Sequence, residues 1–107
     1  MTADITVQEL REKLNNGDEI FILDVREEFE YDISNLNGFI IPLPELENRM
    51  YEIEDKKDVE VIVHCRTGER SVDAVKILDE YGFKNPKNLL GGINQWAREI
   101  DREMKEY

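Results

Sequence analysis

The chemistry this sequence could carry is concentrated in eight consecutive residues, His64-Cys65-Arg66-Thr67-Gly68-Glu69-Arg70-Ser71. Cys65 is the only cysteine in the chain. It follows the apolar run Val59 to Val63 and precedes a stretch with helical spacing, so the reactive loop joins a strand to a helix. A loop that curls into a helix N-terminus turns backbone N–H groups inward and adds the positive end of the helix dipole. Such a cradle favours a thiolate over a thiol, and the thiolate is the nucleophile. The same cradle suits a persulfide anion or the oxygens of an anionic donor. Gly68 permits the tight turn, and Arg66 and Arg70 add positive charge at the mouth. The alternative is that Cys65 is a small core residue at a strand end with solvated arginines beside it. The polar stretch Arg66 to Arg70 is unlike a core.

The elements that must position this loop can be read from spacing. Thr6-Val7-Gln8-Glu9 has the pattern of a capping box before a helix that stops at Asn16-Gly17. Ile20-Phe21-Ile22-Leu23 suits a buried strand ending at Asp24, and Val25 to Tyr31 suits a short acidic helix. Ile40-Ile41 is a second strand closed by Pro42, and Pro44 starts a helix through about Ile53. Val59 to His64 is the clearest strand, and its nearly continuous apolar run suits a parallel strand covered on both faces. Val72, Val75, Ile77 and Leu78 mark the next helix, with Gly82 just past its end. Asn88-Leu89-Leu90 is a short strand, and Gly91-Gly92 leads into an amphipathic helix carrying Ile93, Trp96 and Ile100. Strands alternating with helices imply an α/β fold, three layers with a small, mostly parallel sheet flanked by helices. Functional sites in such folds lie at the carboxyl ends of the strands, which is where Cys65 stands. Trp96, Phe21 and Phe83 are expected in the core.

Bulk properties narrow the function classes. A chain of 107 residues suits one domain spanning 1–107, and 40% apolar residues suffice for one core. The net charge of −11 argues against a nucleic-acid partner, which needs a basic surface. The acidity reads either as a solvated surface or as a docking face for a basic partner. No stretch resembles a signal peptide or approaches a membrane span, and one unpaired thiol fits a reducing compartment. The expected location is the cytoplasm.

Assembled in order, several segments resemble the rhodanese family. Cys65-Arg66-Thr67-Gly68-Glu69-Arg70-Ser71 is similar to that family's active-site loop, and Asp24-Val25-Arg26-Glu27 to its Asp-Val-Arg-Glu motif. Tyr31 falls where the family's Glu-Tyr pair often stands. Gly38 with Ile41-Pro42-Leu43 resembles its Gly-Ala-x-Asn-Ile-Pro-Leu segment. Asn88-Leu89-Leu90-Gly91-Gly92 with Trp96 resembles its Leu-x-Gly-Gly-x-x-x-Trp ending. The resemblance implies a cysteine that accepts sulfur from a donor such as thiosulfate, or a persulfide, and passes it to a thiophilic acceptor without a cofactor. On this reading Cys65 is the nucleophile and Arg66, Thr67, Gly68, Glu69 and Arg70 bind the donor. Asp24, Arg26 and Ser71 support the site, with a structural ion pair as the plainer role for Asp24 and Arg26. Asn35-Leu36-Asn37-Gly38-Phe39 departs from the family's His-Ile-Pro-Gly-Ala and is one residue shorter, which bears on donor preference.

Three other readings compete. Phosphatases of the His-Cys-x5-Arg type need arginine where Ser71 stands, and Arg70 comes one position early. A non-catalytic binding module of the same fold would lack the cysteine that this chain retains. Metal binding would need more ligands than one adjacent His-Cys pair. His64 is expected to serve the strand end structurally, because side chains alternate faces along a strand. A bare Gly91-Gly92 is a weak phosphate-loop signal, better explained by backbone shape. Finally, Trp96 to Asp101, the ending at Tyr107 and Tyr31 to Leu36 resemble rhodanese modules fused to E1-like adenylyltransferases. That likeness implies an E1-like adenylyltransferase and a ubiquitin-like sulfur carrier of molybdopterin or thiamine synthesis as partners.

Overall fold

A computed structural model describes residues 3–107. Five strands form one sheet in the order β1-β5-β4-β2-β3, and every neighbouring pair is parallel. The strands are β1 (Asp4–Ile5), β2 (Ile20–Asp24), β3 (Phe39–Ile40), β4 (Glu60–His64) and β5 (Asn85–Leu89). The helices are α1 (Val7–Asn16), α2 (Glu28–Ile33), α3 (Arg70–Glu80) and α4 (Gly92–Glu99). The expected α/β architecture of helices flanking a parallel sheet is the one observed.

Strand β4 lies at the centre because its apolar residues serve two cores at once. Val61 and Val63 point to one face with Leu23, Leu46, Leu78 and Phe83, and Cys65 continues that row. Ile62 points the other way, into Ile5, Leu10, Leu89 and Trp96. This alternation is the pleat at work. Trp96 and Phe83 are buried as expected, whereas Phe21 is only half-buried and packs against the Phe39 ring.

The capping box holds: Thr6 Oγ1 accepts the Glu9 amide, and Glu9 accepts the Thr6 amide. Other boundaries move for local reasons. Helix α2 starts at Glu28 rather than Val25 because the backbone stays extended past β2. Val25 donates to the His64 carbonyl, and the Asp24 carboxylate takes the Arg26 amide in a tight turn. The helix expected from Pro44 to Ile53 is instead two 3₁₀ segments, Leu43–Glu45 and Met50–Lys56, with a kink at Ile53. Its buried anchors Leu46, Met50 and Ile53 repeat every three to four residues, a spacing that 3₁₀ turns satisfy as well. Strand β5 begins three residues early, through Pro86. β1 pairs only with Asn88 and Leu89, so Pro86 faces no partner on that side. Strand β3 sits one residue earlier than expected, and the two-residue β1 is an addition. Among the described residues, no helix is long and apolar enough to cross a membrane.

Candidate active site

Cys65 stands at the carboxyl end of the central strand, and the chain from Arg66 to Glu69 turns directly into α3. The Gly68 amide donates to Cys65 Sγ at 3.2 Å, so the loop wraps its own sulfur. Gly68 achieves this with φ +109, a value that side-chain-bearing residues rarely adopt. Ser71, in the first turn of α3, places its hydroxyl 3.4 Å from Sγ and donates to the Asn88 side chain on β5. Sulfur, hydroxyl and amide therefore form one buried line from β4 across α3 to β5. Cys65 is 1% exposed.

A second helix N-terminus locks the loop from behind. The Ile93 and Asn94 amides, in the first turn of α4, donate to the carbonyls of Cys65 and Arg66. Gly92 makes this approach with φ +63, and a Cβ there would lie 2.5 Å from the Arg66 carbonyl oxygen. Gly91-Gly92 thus serves backbone contact with the cysteine loop, as its shape suggested.

Two ion pairs frame the loop. Asp24 and Arg26 are both fully buried, joined by Nε–Oδ1 at 2.9 Å and Nη2–Oδ2 at 2.6 Å. Arg26 also donates to the carbonyls of Glu30 and Ser34 and to the Tyr107 hydroxyl. Arg70 is not a free charge at the mouth. Both of its terminal nitrogens hold the Glu30 carboxylate at 2.8 Å. The Arg70 guanidinium, against the cost of burial, holds the Glu30 carboxyl down at about 2. Arg66 is exposed and lies under the Tyr107 ring, 4.8 Å from its centre. Thr67 and Glu69 are exposed and bonded to each other through their side chains. His64 is wholly buried beside Asp24, Nε2 to Oδ2 3.7 Å, and neither ring nitrogen has a hydrogen-bond partner among the described residues. Burial pushes its imidazole pKa down, so it is neutral at pH 7.

The contiguous residues Cys65 to Ser71 and the pair Asp24–Arg26 lie together at one end of the sheet. Spacing did not reveal Glu30, Asn88, Asn94 and Tyr107. Glu30 read as one of several acidic helix residues, Asn88 and Asn94 as ordinary members of a strand and a helix, and Tyr107 only as an ending, so none had a pattern that tied it to Cys65. Among the described residues, no cluster of three His, Cys, Asp or Glu side chains could hold a metal. The Gly68 amide can stabilise an anionic sulfur at Cys65, beside arginines that already hold partners.

The rhodanese-like domain family matches residues 6–99. The adenylyltransferase/sulfurtransferase MoeZ of Mycobacterium tuberculosis, named as probable, is 32% identical over 104 residues, covering 96% of this chain and 26% of that protein. The putative sulfur carrier protein YrkF of Bacillus subtilis is 32% identical over 95 residues, covering 88% of this chain and 50% of that protein. The chain thus spans about a quarter to a half of the length of these relatives. A rhodanese-related protein of Thermoplasma volcanium superposes with a TM-score of 0.79 at 34% identity, covering 92% of this chain and 93% of that one. A rhodanese-like domain protein of Staphylococcus aureus superposes at 0.82 with 27% identity, covering 92% and 95%. With its family model matched over residues 6–99, the chain belongs to the rhodanese-like domain family.

Proposed function

We propose that this chain acts as a single sulfurtransferase domain in which Cys65 carries sulfane sulfur as a persulfide. The observation that carries the reading is the Gly68 amide aimed at Cys65 Sγ inside a loop feeding α3. The Cys65 thiolate attacks the outer sulfur of thiosulfate. A Cys65–sulfur bond forms, the donor's sulfur–sulfur bond breaks, and sulfite leaves with the electron pair. A thiophilic acceptor such as cyanide then takes the terminal sulfur as thiocyanate and returns the thiolate. Charge balances in both steps, and neither requires a cofactor. Amides of the loop Arg66 to Arg70 offset the negative charge of the persulfide. Ser71 can donate to the sulfur once it is anionic, by turning its hydroxyl proton from Asn88 to Sγ. Asp24 and Arg26 hold the strand end, and Glu30 holds Arg70, so the loop keeps its shape through the cycle.

The relatives named as adenylyltransferase/sulfurtransferases support a more specific acceptor. On this reading the persulfide delivers sulfur to the adenylated C-terminus of a ubiquitin-like carrier, activated by an E1-like enzyme in the cytoplasm. The terminal persulfide sulfur is a good nucleophile and the acyl-adenylate an activated acceptor. A phosphatase is not favoured, since Arg70 is committed to Glu30 and a serine hydroxyl faces the sulfur.

Mass spectrometry after incubation with thiosulfate tests the reading. Wild-type protein is expected to gain the mass of one sulfur atom and to lose it to cyanide, and Cys65→Ser is expected to gain nothing. A folded Cys65→Ser protein that still produces thiocyanate from thiosulfate and cyanide overturns it.

A further inference from the structure

The segment after α4 has no regular structure, yet it returns to the cysteine loop and is fastened there. Met104 packs against the Trp96 core, and Glu106 pairs with Arg98. Asn94 then clasps Tyr107 on both sides of its backbone. Its Nδ2 donates to the Tyr107 carbonyl oxygen at 3.1 Å, and its Oδ1 accepts the Tyr107 amide at 3.2 Å. The same Tyr107 carbonyl oxygen accepts from Arg66. Tyr107 lays its ring over the Arg66 guanidinium, while its hydroxyl accepts from Arg26 at 2.8 Å and donates to Glu30 at 3.0 Å. Burial pushes the phenol pKa up, so the hydroxyl keeps its proton for Glu30. One side chain therefore spans from Arg66, next to Cys65, to the Glu30 carboxylate that holds Arg70. Arg70 lies within electrostatic reach of both Cys65 and Tyr107. Cys65, the neighbour of the strapped Arg66, is 1% exposed.

We propose that Tyr107 is the specificity-determining residue of the Cys65 site, screening by size what reaches the sulfur. With the strap in place, small donors and acceptors pass. A bulky or macromolecular acceptor reaches the persulfide only when 101–107 lifts from Arg66 and Asn94. The contacts suit such a gate, because they are a handful of hydrogen bonds, one exposed ion pair and a stacked cation, each of modest strength, on a segment without regular structure. Segments of this kind open locally at low free energy while the sheet stays folded. The inference deepens the sulfurtransferase reading in naming its acceptors, but the gate itself concerns access to a thiol and can be measured without sulfur transfer.

The experiment uses the full chain and two maleimides with the same reactive group, N-ethylmaleimide and the rigid, bulky N-(1-pyrenyl)maleimide, on the only thiol present. Tyr107→Ala loses both hydroxyl bonds and the ring over Arg66, so it is expected to raise the pyrenyl rate by more than about tenfold, and the ethyl rate by no more than about twofold. Tyr107→Phe keeps the ring over Arg66 and loses both hydroxyl bonds, so its pyrenyl rate is expected to fall between wild type and Tyr107→Ala. If Tyr107→Ala does not fold, the Phe variant carries the same comparison. Equal factors for the two reagents, or no change in either, overturn the gate. Persulfide formation from thiosulfate is followed in parallel. Persulfide without size selection removes the gate and leaves the sulfurtransferase reading, whereas size selection without persulfide does the reverse.

Discussion

Glu30→Gln tests how much of the loop's stability comes from one buried carboxylate. Glu30 is 5% exposed and accepts both Arg70 nitrogens, the Glu27 amide and the Tyr107 hydroxyl. These contacts, Arg70 foremost, lower its pKa from 4.5 to about 2. A shift of that size corresponds to about 3 kcal/mol of preference for the charged form in the folded state. The Arg70 side chain is 36% exposed, so water and salt screen the pair and about 1–2 kcal/mol is the realistic share. A carboxyl whose pKa falls on folding contributes stability above its unfolded value and loses it as pH drops through its folded value. Wild type is therefore expected to exceed Glu30→Gln in stability at pH 7, and the gap should close between about pH 5 and about pH 2. Urea unfolding followed by circular dichroism at several pH values measures that gap, with a midpoint difference near about 1 M at neutral pH. Comparing two variants at each pH cancels the titration of the many other acidic groups. A gap that stays constant down to about pH 2 refutes the electrostatic account and leaves only a difference in shape.

Two further perturbations probe the frame around the sulfur. Asp24→Asn strands the wholly buried Arg26 guanidinium and is expected to cost about 3–5 kcal/mol, read as a melting temperature lower by more than about 10 °C. A loss under about 1 kcal/mol would show that Arg26 finds its balance elsewhere. Gly92→Ala drives a Cβ into the carbonyls of Cys65 and Arg66 and strains a left-handed residue, at a cost of about 1–3 kcal/mol. Thiosulfate:cyanide turnover should fall more steeply than stability, and unchanged turnover would show that the loop tolerates displacement.

What could be read in the sequence was whatever lies contiguous in it. The step from strand to cysteine loop to helix was legible because Val59 to Val63 is almost unbroken, the loop is abruptly polar, and the helix that follows repeats its apolar residues at helical spacing. The capping box at Thr6 was legible because both of its partners lie within one turn. Strand β5 was partly hidden because Pro86 and polar neighbours mask a strand that β1 covers only at its end. The segment after Pro44 was misread because its anchors recur at a spacing common to two kinds of helix. In the site, Glu30 meets Arg70 across 40 positions and Tyr107 meets Arg66 across 41. No local pattern encodes such pairings, since the parallel sheet order alone brings those segments to one end.

That division also explains where the site's charge resides. Arg66 and Arg70 flank the only cysteine, and from spacing alone both read as free cations at the mouth. Folding gives Arg70 to Glu30, Arg26 to Asp24, and Arg66 to the ring and carbonyl of Tyr107. A guanidinium whose charge is matched this closely has less to offer an incoming anion than a free one. The part of the field aimed at Cys65 Sγ then comes from groups that cannot be neutralised by a neighbour: the Gly68 amide and the start of α3. The arginine pairs act one step removed, fixing the loop so that the Gly68 amide keeps its aim at the sulfur. A binding anion can still recruit Arg66, because its contact to Tyr107 lies at the surface and is among those that strap movement breaks. The same exposed contact therefore governs both access to Cys65 and the charge available there.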